Sequence, residues 1–492
     1  MTATPIPMIL RGEETTSSET STIINPYRRD TVGECFQASA EQADSAVEGA
    51  TRAFEVTRKM PRYERAAILN SLADLIERDR EPLAELIARE AGKPLFDARG
   101  EVSRAILNCR GAAEEAKRIA GHEVPLDMDG DVAHYQSVVS TTSRNEVTGV
   151  DRRFAIAKLF PLGPILAVAP FNFPLNLTLH KVAPAIAAGN PVILKPSPQA
   201  PLTALRLGRL ILEAGMPPEA ISVLPCDNSV AEQMVTDPRI RMVSFTGSAR
   251  VGWYLKSIAP KIRMTLELGG NGGVLIDETS DIEFAARRSA RGANVYAGQY
   301  CIGVQRLIVH KSRYNEFVER LLQEVKSLKV GDPLTESTDL GPVIDDRSAD
   351  RIVSWIAESV SQGADVLIGG DRTDAVVTPT VITNTTRNMK VEQEEIFGPV
   401  CTVKSFDNWE EGIGLLNDSQ YGLQTGVFTR DIGRALSAIP DVETGGLMIN
   451  DVPIFRIDNM PFGGVKESGF GLEGTRYAIE SMMQMKFAML NG

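Results

Sequence analysis

Apolar residues recur at three-to-four spacing through "SAEQADSAVEGATRAFEVTR", "RYERAAILNSLADLIERDREPLAELIAREAG" and "ARGEVSRAILNCRGAAEEAKRIAG". That period puts one apolar face on each of a series of helices and predicts a helical stretch over residues 40–122. Ser39 or Pro61 near the starts, and Gly92 or Gly121 near the ends, suit helix boundaries. The texture then changes. "HYQSVVSTTSRNEVTGVDRRFAIAKLFPLG" is alternating and β-branched, as in an antiparallel ribbon.

From Pro164 short apolar runs alternate with helical ones. "PILAVAP" leads to "LTLHKVAPAIAAG", "PVILKP" to "LTALRLGRLILEAG", "ISVLPC" to "SVAEQMVTD", and "RMVSFTG" to "ARVGWYLKSIAP". This is the βαβ rhythm of a parallel sheet covered on both faces, whose strand ends are where nucleotides bind. A second α/β region follows "MTLELGG" and runs to Asn450, and the tail "GTRYAIESMMQMKFAML" is placed back on the ribbon. A chain of 492 residues exceeds what one core organises. Without a repeat or a low-complexity linker between them, its units are expected to pack closely.

Composition narrows the function classes. With 52 basic against 64 acidic residues, net -12, the chain lacks the basic field of a nucleic-acid scaffold. A small anionic substrate stays open, because one local arginine can hold it. No apolar run reaches membrane-spanning length, and the start carries no basic leader. Cys35, Cys109, Cys226, Cys301 and Cys401 form neither a disulfide framework nor a zinc pattern, and the four histidines make no ligand pair. The expectation is a reduced, cytoplasmic protein with no metal and no nucleic-acid or membrane partner.

Several short stretches bear on chemistry. "GFGLEG" (Gly469, Gly471, Gly474) has the letters of a dinucleotide fingerprint but no buried strand before it, so it reads as a glycine-rich loop near the site. "RMVSFTGSARVG" is the better phosphate candidate: an apolar strand ends at Phe245, Gly247 allows a tight turn, and Ser248 stands where a helix begins. Asn172 in "APFNFPLN" is either a bridge between loop backbones or an amide donor aimed at a developing oxyanion. Glu267 in "LELGGN" is either a structural acceptor or, if unpaired, a base with a raised pKa. Cys301 in "NVYAGQYCIGVQR" sits among small and polar residues.

Taken in order, "PFNFP", "KPSPQAP", "FTGSARVG", "LELGGN", "GQYC", "EEIFGPV" and "NMPFGGVKESGFG" strongly resemble the aldehyde dehydrogenase superfamily over nearly the whole chain. The resemblance implies a doubly wound, Rossmann-like cofactor domain (1–128 and 152–267), an α/β catalytic domain (268–465) and a small β-ribbon flap (129–151 and 466–492). That flap implies a homodimer or homotetramer. By the same resemblance Cys301 is the nucleophile, Asn172 and the Cys301 backbone N–H hold the oxyanion, and Glu267 activates the water that hydrolyses a thioester. Lys195 would reach the adenosine ribose, Ser248 the pyrophosphate and Glu395 the nicotinamide ribose. Phe171, Ser197, Pro198, Phe245, Gly247, Val251, Leu268 and Phe397 complete the expected contacts, and Lys181 and Glu473 match proposed proton-relay positions.

Two departures matter. Pro198 stands where many NAD-preferring relatives have a glutamate, so nothing there repels a 2′-phosphate and Lys195 can pair with one. NADP is favoured over NAD on that ground. "GGNGGV" also differs from the Asn-x-Pro common after the glutamate. The tail "NDVPIFRIDNMPFGGVKESG" and "EVSRAILNCRGAAEEAKRI" look most like the branch holding lactaldehyde, non-phosphorylating glyceraldehyde-3-phosphate, sulfolactaldehyde and phosphonoacetaldehyde dehydrogenases. A short polar or anionic aldehyde follows, lactaldehyde-like given Phe173, with Arg110 and Arg456 as candidate cations. The alternatives are a coenzyme A-acylating relative, which commonly lacks the glutamate, and a non-catalytic protein retaining the fold.

Overall fold

The helical period is realised as four helices, Ala40–Thr57, Arg62–Arg78, Arg80–Ala91 and Leu95–Arg118, in a computed structural model that describes residues 4–126 and 153–491. Ser39 caps the first with a reciprocal bond pair to Gln42, and Gly92 closes the third in a left-handed conformation. The fourth stops at Arg118, before Gly121. Four short strands precede them, Met8–Leu10, Glu13–Thr15, Thr20–Ile24 and Thr31–Phe36. The first two are too short to show alternation in sequence.

The predicted βαβ run builds the centre of an eight-stranded sheet. Strands Ile221–Val223, Val192–Lys195, Ile165–Val168, Met242–Thr246 and Arg263–Glu267 lie side by side and parallel in that order. The chain therefore builds outward one way from Ile165–Val168, then reverses at Met242–Thr246. Such a switch point opens a crevice at the strand C-termini, the standard ligand position in doubly wound sheets. Two buried glutamates brace the covering helices: Glu90 accepts from the N–H groups of Leu202 and Thr203, and Glu101 from those of Leu175 and Asn176. Each supplies the start of a helix with a partner that its own backbone cannot provide.

The second α/β region forms a seven-stranded sheet, parallel except at Asp365–Ile368. Strand Arg153–Pro161 pairs with Met483–Asn491 over nine residues and with His122–Glu123, so the tail does return to the ribbon. The flap segment expected at 129–151 lies outside the described residues.

Two sequence-drawn boundaries move. Arg153–Pro161, assigned to the cofactor domain, belongs to this three-stranded sheet, because its alternating pattern finds its partner in the tail. Residues after 466, assigned to the flap, first return to the large sheet: Gly469–Phe470 pairs with Leu266 and Glu267. Among the described residues no helix is long and apolar enough to cross a membrane.

Candidate active site

The nucleophile candidate sits in a loop held against its own preferences. Tyr296 and Ala297, just before it, have left-handed backbones (φ 48° and 52°), which costs non-glycine residues about 1–2 kcal/mol each. Tyr296 is anchored by its hydroxyl on the carbonyl of Ala91 at 2.6 Å. The Gln299 amide donates to the carbonyls of Tyr296 and Pro342 and accepts from the N–H of Ile344. With the loop so fixed, Cys301 keeps part of its surface open, while Cys35, Cys109, Cys226 and Cys401 are buried. Burial pushes the Cys301 thiol up to about 12; the Arg456 guanidinium pulls against this, and Glu395, Glu267 and Glu473 add to it.

Glu267 ends strand Arg263–Glu267, nearly fully buried, and neither carboxylate oxygen has a hydrogen-bond partner. Burial, reinforced by the charge of Glu473, holds its pKa well above the usual carboxylate range, against the pull of Arg456 and Lys181. The two glycines after Leu268 explain how tightly the parts converge. A Cβ on Gly269 would strike the Glu395 carboxylate, and one on Gly270 would strike the carbonyl of Cys301. Only a glycine pair lets the Glu267 turn pass between them. Asn172 donates from Nδ2 to the carbonyl of Gln299 at 2.9 Å, tying its own loop to that of Cys301 and leaving its second N–H available.

A buried ionic network backs the thiol. Glu473 accepts from Lys181 Nζ at 3.0 Å and from Arg456 Nη2 at 3.0 Å, and meets His180 Nδ1 at 3.0 Å. His180 Nε2 meets Asp458 at 2.8 Å, and Asp458 accepts from Arg104 at 2.6 Å. Burial alone would raise both carboxyls; Lys181, His180 and Arg456 outweigh it at Glu473, and His180 and Arg104 do so at Asp458, so both stay well below the ordinary range. Phe173 stands edge-on to Tyr300 with centroids 4.6 Å apart, and the Arg104 guanidinium lies 5.9 Å from the Phe173 ring centre.

At the switch-point crevice, Lys195 ends its strand buried, with Cys226 and Asp227 as the acidic groups that bear on it. Ser197 donates to the Gln199 side chain at 2.6 Å, and Pro198 is exposed. The strand through Phe245 ends one residue later, at Thr246, and Gly247 turns tightly over the Phe245 ring. Ser248 opens helix Ala249–Ile258 without spending its hydroxyl on a cap bond. Leu268 packs against Gly252 of that helix, beside the half-buried Val251. Glu395 accepts from the N–H of Gly270 at 3.0 Å, and burial lifts it to about 7. Phe397, itself left-handed, meets Phe171 edge to face at 5.9 Å. An open helix N-terminus, a free hydroxyl and a buried ammonium at one crevice fit a dinucleotide.

The candidate cations divide. Arg456 is buried in the network, but Arg110 is exposed and pairs with Asp74 at 3.1 Å on the outer surface. Arg104, six residues earlier on the same helix, is the one that faces the site. At about 100° per residue the two positions lie about 120° apart around the helix, so they cannot share a face. Arg104, His180 and Asp458 were missed from sequence. The available signal was the placing of His180 one turn after Asn176 and next to Lys181 on a helix whose second half is wholly apolar.

The sequence profile of the aldehyde dehydrogenase family matches residues 13–488. A 3-sulfolactaldehyde dehydrogenase from Priestia aryabhattai is 39% identical over 485 residues, covering 98% of each chain. The crystal structure of aldehyde dehydrogenase 21 from Physcomitrella patens, in complex with its reaction product succinate, matches with a TM-score of 0.93 and 36% identity over 100% of this chain and 99% of that one. The glyceraldehyde-3-phosphate dehydrogenase GapN from Methanocaldococcus jannaschii, complexed with NADP, matches with a TM-score of 0.89 and 34% identity over 97% and 100%.

Proposed function

The chain belongs to the aldehyde dehydrogenase family and is an NAD(P)-dependent oxidoreductase acting on aldehydes, and on that premise we propose that it oxidises a short anionic or polar aldehyde, lactaldehyde-like in size, to its carboxylic acid. One observation carries the substrate reading: beside Cys301, on whose thiol the Arg456 guanidinium acts, Phe173 stands edge-on to Tyr300 with the Arg104 guanidinium 5.9 Å from its ring centre. The ring pair accommodates a small carbon chain, and the cations suit a negative or hydroxylated end. The sulfonate, carboxylate and phosphate implied by the names of the three relatives agree with this choice.

In the proposed reaction the Cys301 thiol gives its proton to a solvent water, Sγ bonds to the aldehyde carbon and the carbonyl pair moves onto oxygen. The resulting oxyanion accepts from the free N–H of Asn172 and from the Cys301 backbone N–H. Lys195, Ser248, Glu395 and Phe397 would hold NAD(P), which would supply the acceptor for the hydride that leaves this carbon. A thioester remains on Cys301. Glu267 then removes a proton from water, the hydroxide adds to the thioester carbon, the C–S bond breaks and the thiol is restored. Lys181 and Glu473 hold the charge around Glu267. Without an acid at position 198, the crevice is proposed to favour NADP over NAD.

A panel of short aldehydes, each with NADP and with NAD and without coenzyme A, tests this. Anionic aldehydes should show the highest kcat/KM, and Arg104→Gln should lower it about ten- to hundredfold for them while barely changing a neutral aldehyde of equal length. Equal losses for both would remove Arg104 from recognition. The ribbon carries exposed Phe160, Met485 and Phe487, so a homodimer or homotetramer is proposed; light scattering that returns a monomer mass would refute it.

A further inference from the structure

Lys93 has no place in the chemistry above, yet it is fully buried and paired with Glu101, also fully buried. Its ammonium lies 3.5 Å from the ring centre of Phe173 and 4.7 Å from that of Tyr296. Those rings belong to the two loops that must meet at the reacting carbonyl. Phe173 directly follows Asn172, and Tyr296 begins the left-handed pair that leads into Cys301.

Two further contacts make the arrangement a clamp. The residue two before Lys93, Ala91, accepts the Tyr296 hydroxyl at 2.6 Å, so the same segment grips that ring at its edge and on its face. The other Glu101 oxygen accepts from Leu175 at 2.9 Å and Asn176 at 3.1 Å, which fixes the start of the helix that follows Asn172. One ion pair thus touches both loops and the helix between them. A buried charge is costly unless its hydrogens find partners, and cation–π contact with two faces supplies them here.

We propose that Lys93 is a positioning residue that keeps the Asn172 loop and the Cys301 loop in register and thereby sets the spacing of the two oxyanion donors. It rests on the proposed roles of Asn172 and Cys301. A cation–ring contact has this effect because it constrains distance and tilt together, and it adds a second tie between the two loops to the Asn172–Gln299 bond.

The test separates positioning from the mere presence of a buried charge. Lys93→Met leaves Glu101 unpaired, so the informative protein is Lys93→Met with Glu101→Gln, which is neutral and keeps an oxygen for the Leu175 and Asn176 N–H groups. With turnover counted per titratable Cys301, kcat should fall about tenfold or more while KM stays within about twofold, the signature of a lost transition-state contact. Wild-type turnover in that variant overturns the inference. If it does not fold, Tyr296→Leu, which leaves the ion pair intact, must show the same split and lose more than Tyr296→Phe, which keeps the ring; equal turnover in the two overturns it. Failure of the parent reading looks different: there the unsubstituted protein oxidises no aldehyde, or Cys301→Ala continues to do so.

Discussion

Cys301→Ala should remove aldehyde oxidation altogether, at least about 10⁴-fold, while leaving the fold and dinucleotide binding in place. The other four cysteines are buried, so none can substitute. The same sulfur makes a pH prediction. With burial holding the thiol near 12, about one part in 10⁵ is thiolate at pH 7, and that share grows tenfold with each pH unit. Alkylation of the dinucleotide-free protein by iodoacetamide should therefore speed up about tenfold per unit from pH 6 to 9. Mass spectrometry of the labelled peptide would check it. Rapid, pH-independent labelling at pH 6 would mean a preformed thiolate and would shift the burden from a proton acceptor to Arg456.

Glu267→Gln should give at most one equivalent of reduced dinucleotide per site and then stall. The amide fills the same space but cannot take a proton from water, so the thioester forms and stays. Loss of a general base typically costs about 10²–10⁴-fold, and here it falls on hydrolysis alone. Mass spectrometry of the stalled protein should show the acyl group on the Cys301 peptide. Steady turnover without added thiol would take Glu267 out of the mechanism. The sign of the pH effect follows from burial. Because its pKa is raised, Glu267 is protonated over a range where an exposed glutamate would be ionised, so kcat should decline as pH falls, with a midpoint above the ordinary value of about 4.3.

Local patterns carried much of this architecture. The alternation of short apolar runs and helices after Pro164 was enough to expect a parallel sheet, and Ser39 and Gly92 marked helix ends that the structure places there. Asn172 and Glu267 each left two readings open and Cys301 stood among small and polar residues; it was the ordered series of motifs, through the family resemblance, that singled out all three. What escaped was long-range. His180 and Asp458 are 278 positions apart and Arg104 and Asp458 are 354 apart, and no local period announces such partners. Arg110 was named and Arg104 on the same helix was not, since the inward face is decided by packing against residues elsewhere in the chain. The ribbon itself was legible, since the stretch through Arg153–Pro161 reads as antiparallel and the tail returns to it, but the domain boundary drawn at 152 gave to the cofactor domain a strand whose partner lies more than three hundred positions later.

That tail does more than close the chain. It lays Gly469–Phe470 directly beside Glu267, delivers Glu473 to the same carboxylate's electrostatic field, and then runs out as the long edge of the ribbon. The ribbon edge and the electrostatic surroundings of Glu267 are consequently joined through some twenty residues of continuous backbone.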